Sequence, residues 1–150
     1  MRNSISTLFA VLFAVFLAVG VAGAQSQIAI NQNVDVQAST AWQIADFTSP
    51  DFKNNNYRGL HLTLDITDTA GTASVTLTIQ GKDETSGKYY TLLGGAAKTA
   101  PGTTDMIIYP GCIAAANTVA NMPLPKLWRA FVDIPAGDSV KFTVGASLIE

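Results

Sequence analysis

The chain has 150 residues, enough for one domain, with a formal net charge of −2 and 48% hydrophobic residues. Its basic residues Lys53, Arg58, Lys82, Lys88, Lys98, Lys126, Arg129 and Lys141 are scattered, so no stripe is present to neutralise phosphates, and a nucleic-acid partner is excluded. Cys112 is the only cysteine, which excludes an internal disulfide and leaves stability to the core.

The first element is apolar. Leu8 to Ala24, "LFAVLFAVFLAVGVAGA", carries no charge, follows Arg2, and ends in Ala22-Gly23-Ala24. That layout predicts a helical secretory signal peptide over residues 1–24, cleaved between Ala24 and Gln25. Its 17 residues, interrupted by Gly20 and Gly23, fall short of the ~20 that a membrane span needs. Contact with a membrane is therefore expected only through this segment, if it is retained. Cleavage removes Arg2 and leaves eight basic against eleven acidic side chains, a net charge of −3. The expected location is exported: periplasmic, cell-surface or extracellular. Residues 25–33 are polar and read as an arm or linker, and residues 34–150 as a single domain.

From Val34 onward the period is two. Val34 to Ala41 is the first candidate strand. In "YRGLHLTLDIT", Leu60, Leu62, Leu64 and Ile66 alternate with His61, Thr63, Asp65 and Thr67, which gives one apolar and one polar face. "TASVTLTIQ" repeats this with Val75, Leu77 and Ile79, and "DSVKFTVGASLI" with Val140, Phe142, Val144, Ala146 and Leu148. Lys88 to Leu93, Asp105 to Tyr109 and Leu127 to Ile134 complete a set of about seven strands. The glycines of Asp68-Thr69-Ala70-Gly71-Thr72 and Ile134-Pro135-Ala136-Gly137-Asp138 fit turns between strand pairs. Many short strands, Gly/Pro turns and no helical period predict an all-β antiparallel β-sandwich, jelly-roll-like, with an open barrel as the alternative.

Between two of the strands lies "KDETSG", read as a hairpin loop closed by Gly87. Its adjacent carboxylates Asp83 and Glu84 could add oxygens to a Ca²⁺ site. Such a site gathers about six or more oxygens from several positions, and no EF-hand spacing is present, so no metal is expected. His61 is the only histidine, on a polar strand face. No nucleophile elbow, zinc motif, phosphate loop or C-x-x-C pair occurs; the chain reads as a non-enzyme without a cofactor.

Aromatic residues offer the remaining binding chemistry. Trp42, Tyr57 and Tyr90, with Asp83 and Glu84, are the candidate contacts for a ligand or partner, since an aromatic face gives large contact area at low entropy cost. Tyr89 and Tyr90 must point to opposite faces of a strand, one toward the core and one outward. Trp128 shares a face with Ala130, Val132 and Ile134 and is expected in the core, as is Cys112 as a small hydrophobe.

The segments "YRGLHLTLDIT", "IQGKDETSGKYYTLL", "MIIYPG", "LPKLWRAFVDI" and "FTVGASLI", over about residues 57–150, resemble a family of small proteins from the structural modules of tailed bacteriophages. The most specific pieces are Gly81-Lys82-Asp83 with Ser86-Gly87-Lys88-Tyr89-Tyr90, and Leu124-Pro125 with Trp128-Arg129. The resemblance implies a virion-associated component of capsid-decoration type that acts through protein contacts, with self-assembly or a capsid or surface protein as partner. It carries no catalytic residues over. The signal-peptide-like start sets this chain apart from that family. An exported carbohydrate-binding or surface-adhesion module, with a glycan as ligand, is the alternative. Exposed aromatics in a row would favour it; apolar edge strands and the 25–33 arm would favour assembly.

Overall fold

The computed structural model describes residues 31–37, 41–71 and 73–150. The expected signal helix and cleavage site, and residues 25–30 of the arm, lie outside the described residues.

Alternation decides the strands. In chain order they are β1 (Asn31–Gln37), β2 (Phe47–Thr48), β3 (Phe52–Lys53), β4 (Gly59–Ala70), β5 (Thr76–Lys82), β6 (Tyr89–Gly94), β7 (Gly102–Ile108), β8 (Val119–Ala120), β9 (Leu127–Asp133) and β10 (Ser139–Ile149). No helix occurs among the described residues. One sheet runs β1-β10-β4-β7-β8 and the other β2-β9-β5-β6, with β3 also on β9. All pairings are antiparallel except β7 with β8. The expected strands are therefore present, β1 starting three residues earlier than expected because Asn31 to Asn33 pair with Ile149 to Ser147. The pairs β2, β3 and β8 were not expected, since two residues show no period.

Both sheets turn their apolar faces to one shared core. Leu60, Leu62, Leu64 and Ile66 of β4 meet Val75, Leu77 and Ile79 at β5, with Phe142 and Val144 of β10 and Ala130 and Val132 of β9 in the same cluster. Trp128, at 0% exposure, is the largest member. The short strands supply its lid: the Phe52 ring stacks on Trp128 at 4.8 Å, and Phe47 meets Phe142 edge-on at 5.9 Å.

The two glycine turns join successive strands as expected. Gly71 (φ +86°) and Gly137 (φ +93°) do adopt the left-handed conformation. Yet β4 and β5, and β9 and β10, lie in different sheets, so these turns carry the chain across the core instead of closing hairpins. They pack together at one end: a Cβ on Gly71 would come within 2.8 Å of Asp138 Oδ1. The hairpin over 83–88 joins β5 to β6 at the opposite end.

Trp128→Ala is predicted to cost about 3–5 kcal/mol, the usual range for emptying a buried aromatic site, whereas Thr143→Ala on an outward strand position stays within about 0.5 kcal/mol. Urea unfolding midpoints of the two variants check this; comparable small losses would contradict the assignment of the core.

Candidate functional site

The hairpin is built by one of its own acids. Asp83 N–H donates to Lys88 O and Gly87 N–H to Asp83 O, both at 2.8 Å, while Gly87 takes φ +70°. The Asp83 carboxylate accepts from Thr85 N–H (3.2 Å), Ser86 N–H (3.1 Å) and the Ser86 hydroxyl. Those donors, the Ser86 hydroxyl first, hold its pKa below the ordinary 3.8. Glu84 instead reaches Lys126 Nζ at 3.0 Å. The two neighbouring acids thus serve different partners and present no joint set of oxygens. Among the described residues no group of three or more His, Cys, Asp and Glu side chains is placed to hold a metal.

Below the hairpin, on the outer face of the β2-β9-β5-β6 sheet, the register opposes Gln80 to Arg129 and Lys82 to Tyr89. Arg129 lies over the Tyr89 ring, its guanidinium carbon 3.3 Å from the centroid, and its Nε–H donates to Gln80 Oε1 at 2.8 Å. Asp51, from the turn between β2 and β3, accepts from Lys82 Nζ (2.6 Å) and from the Tyr89 hydroxyl (2.8 Å). The hydrogen bond from Lys82, then that from Tyr89, lowers the Asp51 pKa below 3.8; contact with Asp51 first, and then with Tyr89, raises that of Lys82 above 10.5. The pair stays ionised across the neutral range. Lys82 and Tyr89 come from "GKDETSGKYY" and Arg129 from "LPKLWR", so strand pairing brings the two most specific sequence pieces into one network.

The aromatic candidates separate. Tyr90 is 47% exposed and lies, with Pro125, against Gly81, whose missing side chain makes the space. Tyr89 is half-buried on the outer face, so neither tyrosine enters the core: Gly81 lies between Tyr90 and Trp128 in the register, and the Tyr90 ring stays at the surface beside it. Tyr57 is half-buried against the core, its main chain clasped by Asn54 at 2.8 Å on both N–H and C=O. Trp42, 43% exposed beneath the Lys141 ammonium at 4.5 Å, stands at the opposite end, beside the Gln43–Val140 bridge. Tyr57, Tyr90, Asp83 and Glu84 therefore share an end and Trp42 does not.

Cys112 is not in the core. It lies half-buried in the β7–β8 connection, its thiol directed to Tyr109 O at 2.9 Å, because the Pro110-Gly111 turn carries the chain out of the sheet. His61 faces outward beside Asp105 (3.4 Å) and lines a groove of about 290 Å³ with Asn33, Asp35, Thr63, Gly145 and Ser147. A second groove, of about 540 Å³, runs between Asn54 to Tyr57 and Lys126 at the hairpin end.

One feature of that end escapes the motifs. The connection after Tyr109 exposes Ile113 at 93%, with Ala114, Ala115 and Ala116 also exposed. This tip is held in shape: Ala115 N–H and Val119 O pair at 3.0 Å, Val119 N–H and Ala115 O at 2.9 Å, Gly111 N–H meets Asn121 Oδ1 at 2.8 Å, and Asn117 takes φ +62°. The signal that finds it is charge: Met106 to Pro125 contains no ionisable side chain other than Tyr109 and Cys112.

Because Asp51 and Asp83 have lowered pKa values in the folded state, both stabilise it above 3.8 and lose that contribution as pH falls through the lowered values. The double variant Asp51→Asn/Asp83→Asn is predicted to melt below the wild type at pH 7, and the gap to narrow as pH falls below 3.8. A gap independent of pH in thermal melts would contradict this. No family model, curated protein or solved structure matches the chain.

Proposed function

We propose that the protein is a non-enzymatic assembly module, a β-sandwich of jelly-roll type that resembles virion components of tailed bacteriophages and acts through protein–protein contacts. The strand orders β1-β10-β4-β7 and β2-β9-β5-β6 support the jelly roll, since each sheet interleaves strands from both halves of the chain, as two Greek keys wound together do. A fold does not define a function, and jelly rolls occur in capsids and lectins alike. The observation that carries the assembly reading is the Ile113 tip. An isoleucine held almost fully in solvent by an ordered loop loses the hydrophobic stabilisation that burial would give, which a partner pocket would restore. The loop's fixed shape reduces the ordering cost of such a contact.

The carbohydrate-binding alternative asks for a row of aromatics. The exposed pair Trp42 and Tyr90 stand at opposite ends, and the Tyr89 ring is covered by Arg129. The export reading rests on Leu8 to Ala24, which also separates this chain from components that assemble inside a cell.

Sedimentation velocity over a range of concentrations tests the proposal. The wild-type chain is predicted to self-associate, and Ile113→Asp to remain monomeric with a melting temperature like that of the wild type, since the side chain makes almost no intramolecular contact. Identical sedimentation of both proteins would contradict the role given to the tip.

A further inference from the structure

Arg129 is the one member of the outer-face network whose charge is left over. Lys82 is paired with Asp51, and Asp51 uses its second oxygen on Tyr89. Two cations against one carboxylate leave a net +1 at this spot, on a chain whose overall charge is −2. The guanidinium does not move freely. Its central carbon is held over the Tyr89 ring at 3.3 Å and its Nε–H on Gln80 at 2.8 Å, while its Nη amino groups have no hydrogen bond or ion pair among the described residues. An exposed arginine ordinarily loses side-chain entropy when it binds. Here the fold has already imposed that loss.

We propose that Arg129 is the receptor of a carboxylate-binding site on the outer face of the β2-β9-β5-β6 sheet, and that the carboxylate belongs to an Asp or Glu side chain of a protein partner. A planar fork with open Nη groups matches the planar, singly charged carboxylate in both shape and charge. Tyr89 argues for a protein over an acidic sugar: the face a pyranose would stack on is occupied by Arg129, and Lys82 lies over the ring at 5.1 Å. The choice of a protein partner rests on the assembly reading; the carboxylate site does not.

The full chain, uniformly labelled with ¹⁵N, is titrated with acetate, then with a short Glu-containing peptide and with glucuronate, and followed by NMR at its backbone amides and arginine side chains. Arg58, which approaches the Tyr109 ring only to 5.3 Å, serves as the internal control. Saturable movement of the Arg129 guanidinium signals, with Arg58 unresponsive or drifting linearly, is the expected result. Arg129→Lys keeps the charge but not the fork or the stack, and should weaken the acetate response at the Tyr89 and Gln80 amides about tenfold. Parallel linear drift of Arg129 and Arg58, or an undiminished response in Arg129→Lys, would overturn the carboxylate site and leave the Ile113 assembly proposal standing. Glucuronate binding about tenfold tighter than the peptide would overturn the protein partner alone.

Discussion

The antiparallel ladder between β4 and β10 holds the rest of the molecule in place. It runs from the Gly59–Ile149 pair to the Ala70–Ser139 pair, the longest pairing among the described strands, and it sits at the centre of its sheet between β1 and β7. Because side chains alternate, its register turns Leu60, Leu62, Leu64 and Ile66 to the same side as Phe142, Val144, Ala146 and Leu148. A slip of one residue would turn the whole apolar set of the slipped strand into solvent. The other sheet completes the core with Val75, Leu77, Ile79, Trp128, Ala130 and Val132. The only irregularity in the ladder is the register shift beside Lys141, near the end where the chain crosses between sheets.

That ladder also divides the surface. At one end, Gly71 and Gly137 form two corners packed against each other. At the other gather the hairpin over 83–88, the asparagine loop beside Tyr57, and the apolar connection from Tyr109 to Pro125, joined by the Glu84–Lys126 ion pair and by the hydrogen bond from Leu124 N–H to Arg58 O. The contact chemistry falls mainly at this second end and on the sheet face just below it. In the proposed assembly role, an apolar tip and a fixed cation on the same molecule would make complementary demands on a partner: one supplies burial, the other orientation and specificity.

The core was legible in the sequence because a strand buried on one face must alternate, and β4, β5, β9 and β10 do so over most of their length. The hairpin loop was legible from Gly87 and its polar neighbours. What sequence could not carry was pairing across long separations. Nothing near Arg129 in the chain indicates that Tyr89 will lie beneath it, nor does Asp51 show its link to Lys82 and Tyr89 until β9, β5 and β6 are set side by side. Short-range reasoning also misplaced two residues. Cys112 was read by residue type, whereas Pro110-Gly111 decided its position. Tyr89 and Tyr90 were assigned to opposite faces correctly, but neither enters the core: Tyr89 packs under Arg129 on the outer face, and Tyr90 lies at the surface against Gly81. The Ile113 tip has no motif at all and is recognisable only as a long interval without charge.

The central claim is that the Ile113 tip is buried against protein in the working molecule. Site-specific photo-crosslinking in native material tests it most directly, with a photoreactive residue at position 113 and, as control, at Ala136 on the exposed turn at the other end. A discrete protein adduct from position 113 and none from position 136 is the predicted result. Lipid adducts, or the same adducts from both positions, would contradict it.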